Sequence, residues 1–251
     1  MTQFPIPILT YHSIDDSGSV ISTSPEVFRR QMECLHSLNC KAISLKEFAR
    51  VINEGAGLPR RTVVLTFDDG FRNFAAEAFP VLRRYGFQAT VFLVTDYCGR
   101  DNYWPTQPQG VARMPLLSWE EITELHRAGV EFGSHTATHP DLAVIPPDEA
   151  AREMRRSKAE LAHRLGEEAA TFAYPYGSYS AEVSEIARKE FVASVTAALG
   201  RADEACVMHL LKRIEMYYFA NLTLFRAMIT GRAGWYLNFR KTLRSVKTAL
   251  R

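Results

Sequence analysis

No run of 18 or more apolar residues occurs in this 251-residue chain, so nothing in it reads as a membrane-spanning helix. Cysteine is scarce. The four present (Cys34, Cys40, Cys98 and Cys206) are scattered, with no CxxC pair to suggest a zinc knuckle or a redox dithiol, and they read as idle thiols of a reducing compartment. No Gly-rich dinucleotide fingerprint and no phosphate loop follows any apolar run, which disfavours a nucleotide-binding sheet. Residues 1–12 lack the basic start and long apolar core of a secretory signal and run straight into a strand-like segment, so a cytoplasmic protein is expected. Repeats, low-complexity tracts and Ser/Gly linkers are missing as well, and one main domain is expected. Acidic residues are absent after Glu215. Seven of the 30 basic residues follow that point, which leaves the rest of the chain with 23 basic against 28 acidic. Net charge is +2, and no nucleic-acid partner is expected. The division is therefore a domain over residues 1–215 and a basic, aromatic helical extension over 216–251, packed on or flanking it.

What remains is ordinary in composition, 47% hydrophobic and 23% charged, as a soluble globular enzyme requires. Short apolar runs alternate with helical patterns. Residues 7–12 form the first run; residues 62–67, rich in β-branched side chains and stopped by Asp68-Asp69-Gly70, form the second. Phe74, Ala78, Val81 and Leu82 recur at helical spacing over residues 73–85, and Gly86 ends the pattern. Further strands are expected at 89–94, 130–134, 170–174 and 191–195. Further helices are expected after the Ser118–Glu121 capping box, over 148–165, and over 180–189. The segment 96–117, with three prolines, is too long for a plain connection and is expected to be functional or a lid. Strands alternating with helices imply parallel pairing through crossovers, an α/β fold. At this length a closed or distorted barrel is favoured over an open sheet.

The chemistry-bearing residues gather at the C-terminal ends of these runs, where barrel enzymes place catalytic groups. They are His12, Asp68-Asp69, His135 with His139, and Tyr174-Pro175-Tyr176-Gly177. Two histidines four residues apart can face one metal, but seven histidines in the chain make that spacing alone a weak signal. Pro140 places the pair on a turn rather than a regular helix. Adjacent carboxylates repel unless a cation or proton lies between them, and Gly70 permits a turn that brings both to one site. Two histidines and one carboxylate with an open position suit hydrolytic metal chemistry, in which a bound water becomes acidic and the second carboxylate is free to act as base.

Taken in order, Thr66-Phe67-Asp68-Asp69-Gly70, Ser134-His135-Thr136-Ala137-Thr138-His139 and Tyr174-Pro175-Tyr176-Gly177 resemble the successive motifs of the polysaccharide deacetylase family (NodB-homology, carbohydrate esterase family 4). The likeness spans residues 7–215 and implies a distorted (β/α)7 barrel. It also implies a metal-dependent hydrolase that removes N-acetyl groups from amino sugars of a polysaccharide or lipid-linked glycan. Asp68 would be the general base and Asp69, His135 and His139 the metal ligands. Pro175, Tyr176 and Arg213 would serve substrate and oxyanion, through the Tyr176 N–H. The cofactor would be one divalent metal ion, zinc by its donor set, with cobalt or nickel as alternatives.

The sequence departs from the family pattern twice. The third motif usually carries an Arg two residues before its Pro to orient the catalytic Asp; here that residue is Ala173, and Arg213 is the candidate replacement from another strand. The late histidine of the last motif could be His209, but the opening Leu9-Thr10-Tyr11-His12 resembles the permuted layout of poly-N-acetylglucosamine deacetylases, so His12 is the preferred general acid. His36, His126 and His163 fall on helices and are expected to be structural or solvated. Two rivals stand beside this reading: a hydrolase of a C–N or ester bond in a small metabolite on the same barrel, and a non-catalytic carbohydrate-binding module. At the C-terminus Phe239, Leu243, Val246 and Leu250 line up as one apolar helix face flanked by Arg240, Lys241, Arg244, Lys247 and Arg251. That pattern suits either peripheral membrane contact or a terminal helix covering the barrel.

Overall fold

The computed structural model describes residues 5–202 and 207–249, with side chains through Arg240 and at Thr242. Cys206 lies outside the described residues. In chain order the strands are β1 (Ile8–Tyr11), β2 (Ser13–Ile14), β3 (Ser22–Thr23), β4 (Lys41–Ile43), β5 (Thr62–Phe67), β6 (Thr90–Leu93), β7 (Glu131–Ser134), β8 (Thr171–Ala173), β9 (Ala193–Leu199) and β10 (Leu211–Glu215). The helices are α1 (Pro25–Ser37), α2 (Leu45–Asn53), α3 (Phe79–Tyr85), α4 (Trp119–Arg127), α5 (Pro147–Leu165), α6 (Ala181–Glu190), α7 (Leu222–Ile229) and α8 (Gly234–Ala249).

Seven strands close a parallel ring in the order β1, β10, β9, β8, β7, β6, β5 and back to β1. This is the expected distorted (β/α)7 barrel. The distortion has a visible source: β4 pairs with the first half of β5 and β6 with its last residues, so two strands share one edge of β5. The first strand lies between β5 and the last, with Leu9 opposite both Leu65 and Ile214.

Alternation sorts each strand into two faces. Ile8, Val64, Phe92, Val195 and Leu211 belong to one buried cluster, which Phe48 and Ala49 of α2 extend. Leu9, Tyr11, Val63, Leu65, Phe67 and Val91 belong to another, packed with Phe28 of α1 and Phe74. Tyr11 stacks on Phe67 with ring centres 5.2 Å apart, and Phe28 meets both edge-on. The face that holds Ile8 and Val64 continues upward through Thr10 and Thr66, whose hydroxyls lie 3.4 Å apart, to His12 and Asp68. Strand period therefore carries these two side chains to the barrel mouth.

Helix ends follow their sequence signals. Ser118 and Glu121 form the expected capping box at the start of α4, and Gly86 takes a left-handed conformation after α3. Pro80, the second residue of α3, has no backbone donor to offer, and residues 74–78 wind as a π-helical turn instead of a continuous α-helix. The expected single helix over 73–85 is thus two windings.

The start of α8 and Ala233 just before it pack on the barrel layer through Ala233 and Leu237, both buried, and through Tyr236, whose ring centre lies 5.4 Å from that of Phe219. Phe239, expected on the apolar face, is 54% exposed instead. The helix meets the barrel along Ala233, Leu237 and Arg240, a face turned away from Phe239. The side chains of Lys241, Leu243, Arg244, Val246, Lys247, Leu250 and Arg251 lie outside the described ones. No helix among the described residues is long and apolar enough to cross a membrane.

Candidate active site

Segments leaving the ends of β1, β5, β6, β7, β8 and β10 line one cleft of about 570 Å³ at the C-terminal mouth of the barrel. The Asp68-Asp69-Gly70 turn follows β5, and Asp69 adopts φ 70° and Gly70 φ 76°. Gly70 is required there, because a Cβ would sit 2.6 Å from the Leu93 side chain. The segment after β7 carries Thr136 and His139, again with positive φ, and the turn after β8 holds Tyr176 at φ 59°. Four of the six non-glycine residues with left-handed backbone among the described ones are therefore at this mouth. Such conformations persist only where neighbours enforce them. Glu153 of α5 is one enforcer, accepting from the N–H groups of Ala137 and Thr138 and from the Thr138 hydroxyl.

Asp69, His135 and His139 converge as expected and are all buried. The His135 Nδ1 lies 2.7 Å from the Ala173 carbonyl, which can only accept, so that nitrogen carries the proton. His139 Nδ1 lies 3.1 Å from the Tyr176 hydroxyl, which already donates towards Thr106 at 2.7–2.9 Å; His139 must donate here too. That leaves both Nε2 atoms facing Asp69, each 3.5 Å from its Oδ1. Ligands about 2.0–2.1 Å from a tetrahedral ion stand about 3.4 Å apart, so the spacing fits a divalent cation. Electrostatics agree. Burial raises the Asp69 carboxyl above its usual range, a cost that a cation would relieve, and burial with the adjacent His135 holds His139 well below its usual value, hence neutral.

Arg213 is the candidate for the Arg missing at Ala173. It reaches in from β10 and donates to both oxygens of Asp68 at 2.7 Å, while its Nε donates to the Thr196 carbonyl. Both partners are buried. Burial alone would raise the Asp68 carboxyl; the guanidinium outweighs it and holds the group below its usual range. His12 stands with Nε2 3.8 Å from Asp68 and Nδ1 4.0 Å from Glu215. Burial disfavours its charge, but Glu215, Asp68 and Asp69 together raise its pKa. His209 does not join the cleft lining; it offers only its carbonyl, to the Tyr174 hydroxyl.

The 175–177 turn completes the set. Pro175 is buried, Tyr176 lines the cleft, and its N–H has no acceptor among the described residues. The 96–117 segment is pinned rather than loose: Trp104 packs on His139 with ring centres 4.3 Å apart, and Thr106 donates to the His139 carbonyl at 2.7 Å. Glu215, Trp104 and Thr106 are site residues that the sequence reading missed. Glu215 had one usable signal, its place two residues after Arg213 on the same strand face. A larger cavity of about 710 Å³ opens at the opposite mouth, near Pro7, Thr62 and Arg201; no histidine or carboxylate lines it among the described residues.

A parallel barrel that gathers two histidines and two carboxylates at the C-terminal ends of its strands is the architecture of a hydrolase. The polysaccharide deacetylase family model matches residues 55–192, over half of the sequence, and the chain belongs to that family. The Bacillus subtilis protein YxkH, whose name places it among polysaccharide deacetylases, is 28% identical over 212 residues, covering 84% of this chain and 71% of its own. The poly-beta-1,6-N-acetyl-D-glucosamine N-deacetylase of Staphylococcus aureus is also 28% identical, over 165 residues, 62% of this chain and 54% of its own length. Among solved structures, the Streptococcus pyogenes deacetylase PplD in complex with acetate superposes with a TM-score of 0.73 at 29% identity, covering 85% of this chain and 93% of that one.

Proposed function

We propose that this protein is a metal-dependent hydrolase that removes N-acetyl groups from amino sugars of a polysaccharide or lipid-linked glycan. One observation carries the reading: Asp68, clamped by Arg213, stands beside the Asp69–His135–His139 set in a cleft walled by Trp104, Tyr176 and Tyr217. Aromatic faces suit the apolar faces of sugar rings. The Staphylococcus aureus relative acts, by its name, on an N-acetylated glucosamine polymer, which supports the same substrate class here.

A divalent cation held by Asp69 and the two histidine Nε2 atoms would polarise the acetamide carbonyl and make water acidic enough for a weakly basic carboxylate to deprotonate. Asp68 accepts that proton. Arg213 lowers its basicity but keeps it ionised and fixed in direction, and position is what a base in a cleft most needs. The N–H of Tyr176 donates to the carbonyl oxygen as negative charge builds on it. His12, kept protonated by Glu215, passes its proton to the leaving amine.

The test is acetate release from N-acetylglucosamine oligomers and from a lipid-linked N-acetyl sugar, using protein loaded with zinc or cobalt. Asp68→Asn should retain the metal and lose about 10²–10⁴-fold in turnover. Near-normal turnover by that variant rules the assigned base out.

A further inference from the structure

Arg240 lines the same cleft as the metal-ligand set, although it comes from α8, beyond every barrel strand. Its guanidinium lies over the ring of Tyr218, 3.7 Å from the ring centre, on the turn that continues β10. The cleft's acids are engaged elsewhere. Glu215 faces His12, Asp68 is taken by Arg213, and Asp69 faces the two histidines. The Nε of Arg240 is buried and has no hydrogen-bond partner among the described residues. A guanidinium N–H buried without an acceptor is costly, and its planar fork matches the oxygens of a phosphoryl group or a carboxylate. Seating the flat face on Tyr218 leaves the donors at the edge for a ligand.

We propose that Arg240, seated on Tyr218, anchors an oxyanion carried by the substrate beside its N-acetyl sugar, so that the preferred substrate is an anionic glycan. The anion is a phosphoryl group or the carboxylate of a uronate neighbour. This rests on the deacetylase reading of the site and narrows its substrate class. A purely mechanical role, in which Arg240 only holds α8 against Tyr218, makes the opposite forecast: the variant would damage every substrate alike.

The experiment compares kcat/KM of the metal-loaded full chain on three probes: an N-acetylglucosamine tetramer, its 1-phosphate, and a tetramer with one primary alcohol oxidised to the uronate. Wild type should prefer one of the charged probes by about tenfold or more, the order expected of a charge-assisted hydrogen bond. Added salt should erode that preference. Arg240→Gln should bring the ratio close to one, Arg240→Lys should keep part of it, and Arg152→Gln, a remote exposed control, should keep it whole. Which charged probe is preferred identifies the anion. Acetate from all three probes at a ratio that Arg240→Gln leaves unchanged, or a wild-type ratio near one, overturns the inference and leaves the deacetylase reading intact. No acetate from any probe overturns both. Should Arg240→Gln fail to fold, the Arg240→Lys ratio and the wild-type salt series decide: a salt-independent ratio, equal in the two proteins, overturns the proposal.

Discussion

Arg213 and Asp68 share two hydrogen bonds with almost no water to replace either partner, so removing one leaves the other charge stranded. Arg213→Ala should lower unfolding stability by about 3–5 kcal/mol, read from a urea midpoint at unchanged slope. Arg213→Lys keeps the charge but not the fork. A base displaced by about 1 Å costs about 10²-fold, so this variant should stay folded, keep its metal and lose turnover on that scale. The His12–Glu215 pair makes a pH forecast. In the proposed mechanism His12 must be protonated to act as acid, and Glu215 is the largest influence raising its pKa against burial. Activity therefore falls as pH rises through that pKa, and Glu215→Gln, which removes the raising charge, should move this basic limb of the kcat/KM profile to lower pH. An unmoved limb would assign it to another group; a His209→Ala variant should leave it in place, because His209 is outside the cleft. Asp68, Asp69, His135 and His139 were legible in the sequence because each sits in a local pattern. Arg213 was legible only as a replacement for the Arg missing at Ala173. Glu215 had only its place two residues after Arg213 on β10, and Trp104 and Thr106 carry no local pattern, since their roles arise only when distant strand ends meet.

At the scale of elements, the site is a set of turns forced into left-handed backbone at the strand ends. Gly177 is the sharpest case. Its φ is 70°, and a Cβ there would fall 2.4 Å from both the Cβ and the backbone nitrogen of Ala197 on β9. An alanine cannot relax away from backbone, so the 175–177 turn must move, taking with it the Tyr176 N–H and the hydroxyl that accepts from His139. Gly177→Ala should cost about 2–5 kcal/mol from left-handed strain and overpacking together, and lower kcat as well. Gly18→Ala is the control: its φ is also 70° but its Cβ would meet nothing within 4 Å, so only the backbone cost remains. Equal losses in the two variants would show that the contact with β9 is unimportant. Most strands and helices were readable because their apolar periods are long enough to count. The three-residue β4 was not: Lys41–Ile43 is too short for a period, and its wedge between β5 and β6 is a tertiary fact. Phe239, the one residue of the expected apolar face of α8 with a described side chain, turns outward for a related reason. Phe239 fits an apolar stripe, yet contact with Phe219 and Tyr218 decides which stripe turns inward.

For the whole molecule, closure of the ring is the condition for the site to exist. β1 lies between β5 and β10, which brings His12, near the start of the chain, against Asp68 and Glu215. The barrel itself was foreseeable from alternating strands and helices together with the motif order, but this meeting of first and last strands was visible only through the resemblance. Asp69 follows β5 and His135 follows β7, with β6 between them, so the three candidate ligands come together only in the folded ring. A cation that binds them therefore stabilises the native state and not the unfolded chain. At a free-ion concentration about a thousandfold above Kd the gain is about 4 kcal/mol, which for a chain of this size raises Tm by roughly 8–16 °C. Chelation should remove that increment without unfolding the protein, because the aromatic layer of Tyr11, Phe28, Phe67 and Phe74 and the interior around Val64 and Phe92 do not depend on the ion. Titrating zinc or cobalt into chelated protein should restore Tm in a saturable way with one ion bound. Asp69→Asn should abolish the response, whereas Asp68→Asn should keep it, since Asp68 is committed to Arg213. A full thermal response in a His135→Ala, His139→Ala double variant would place the ion somewhere other than this mouth.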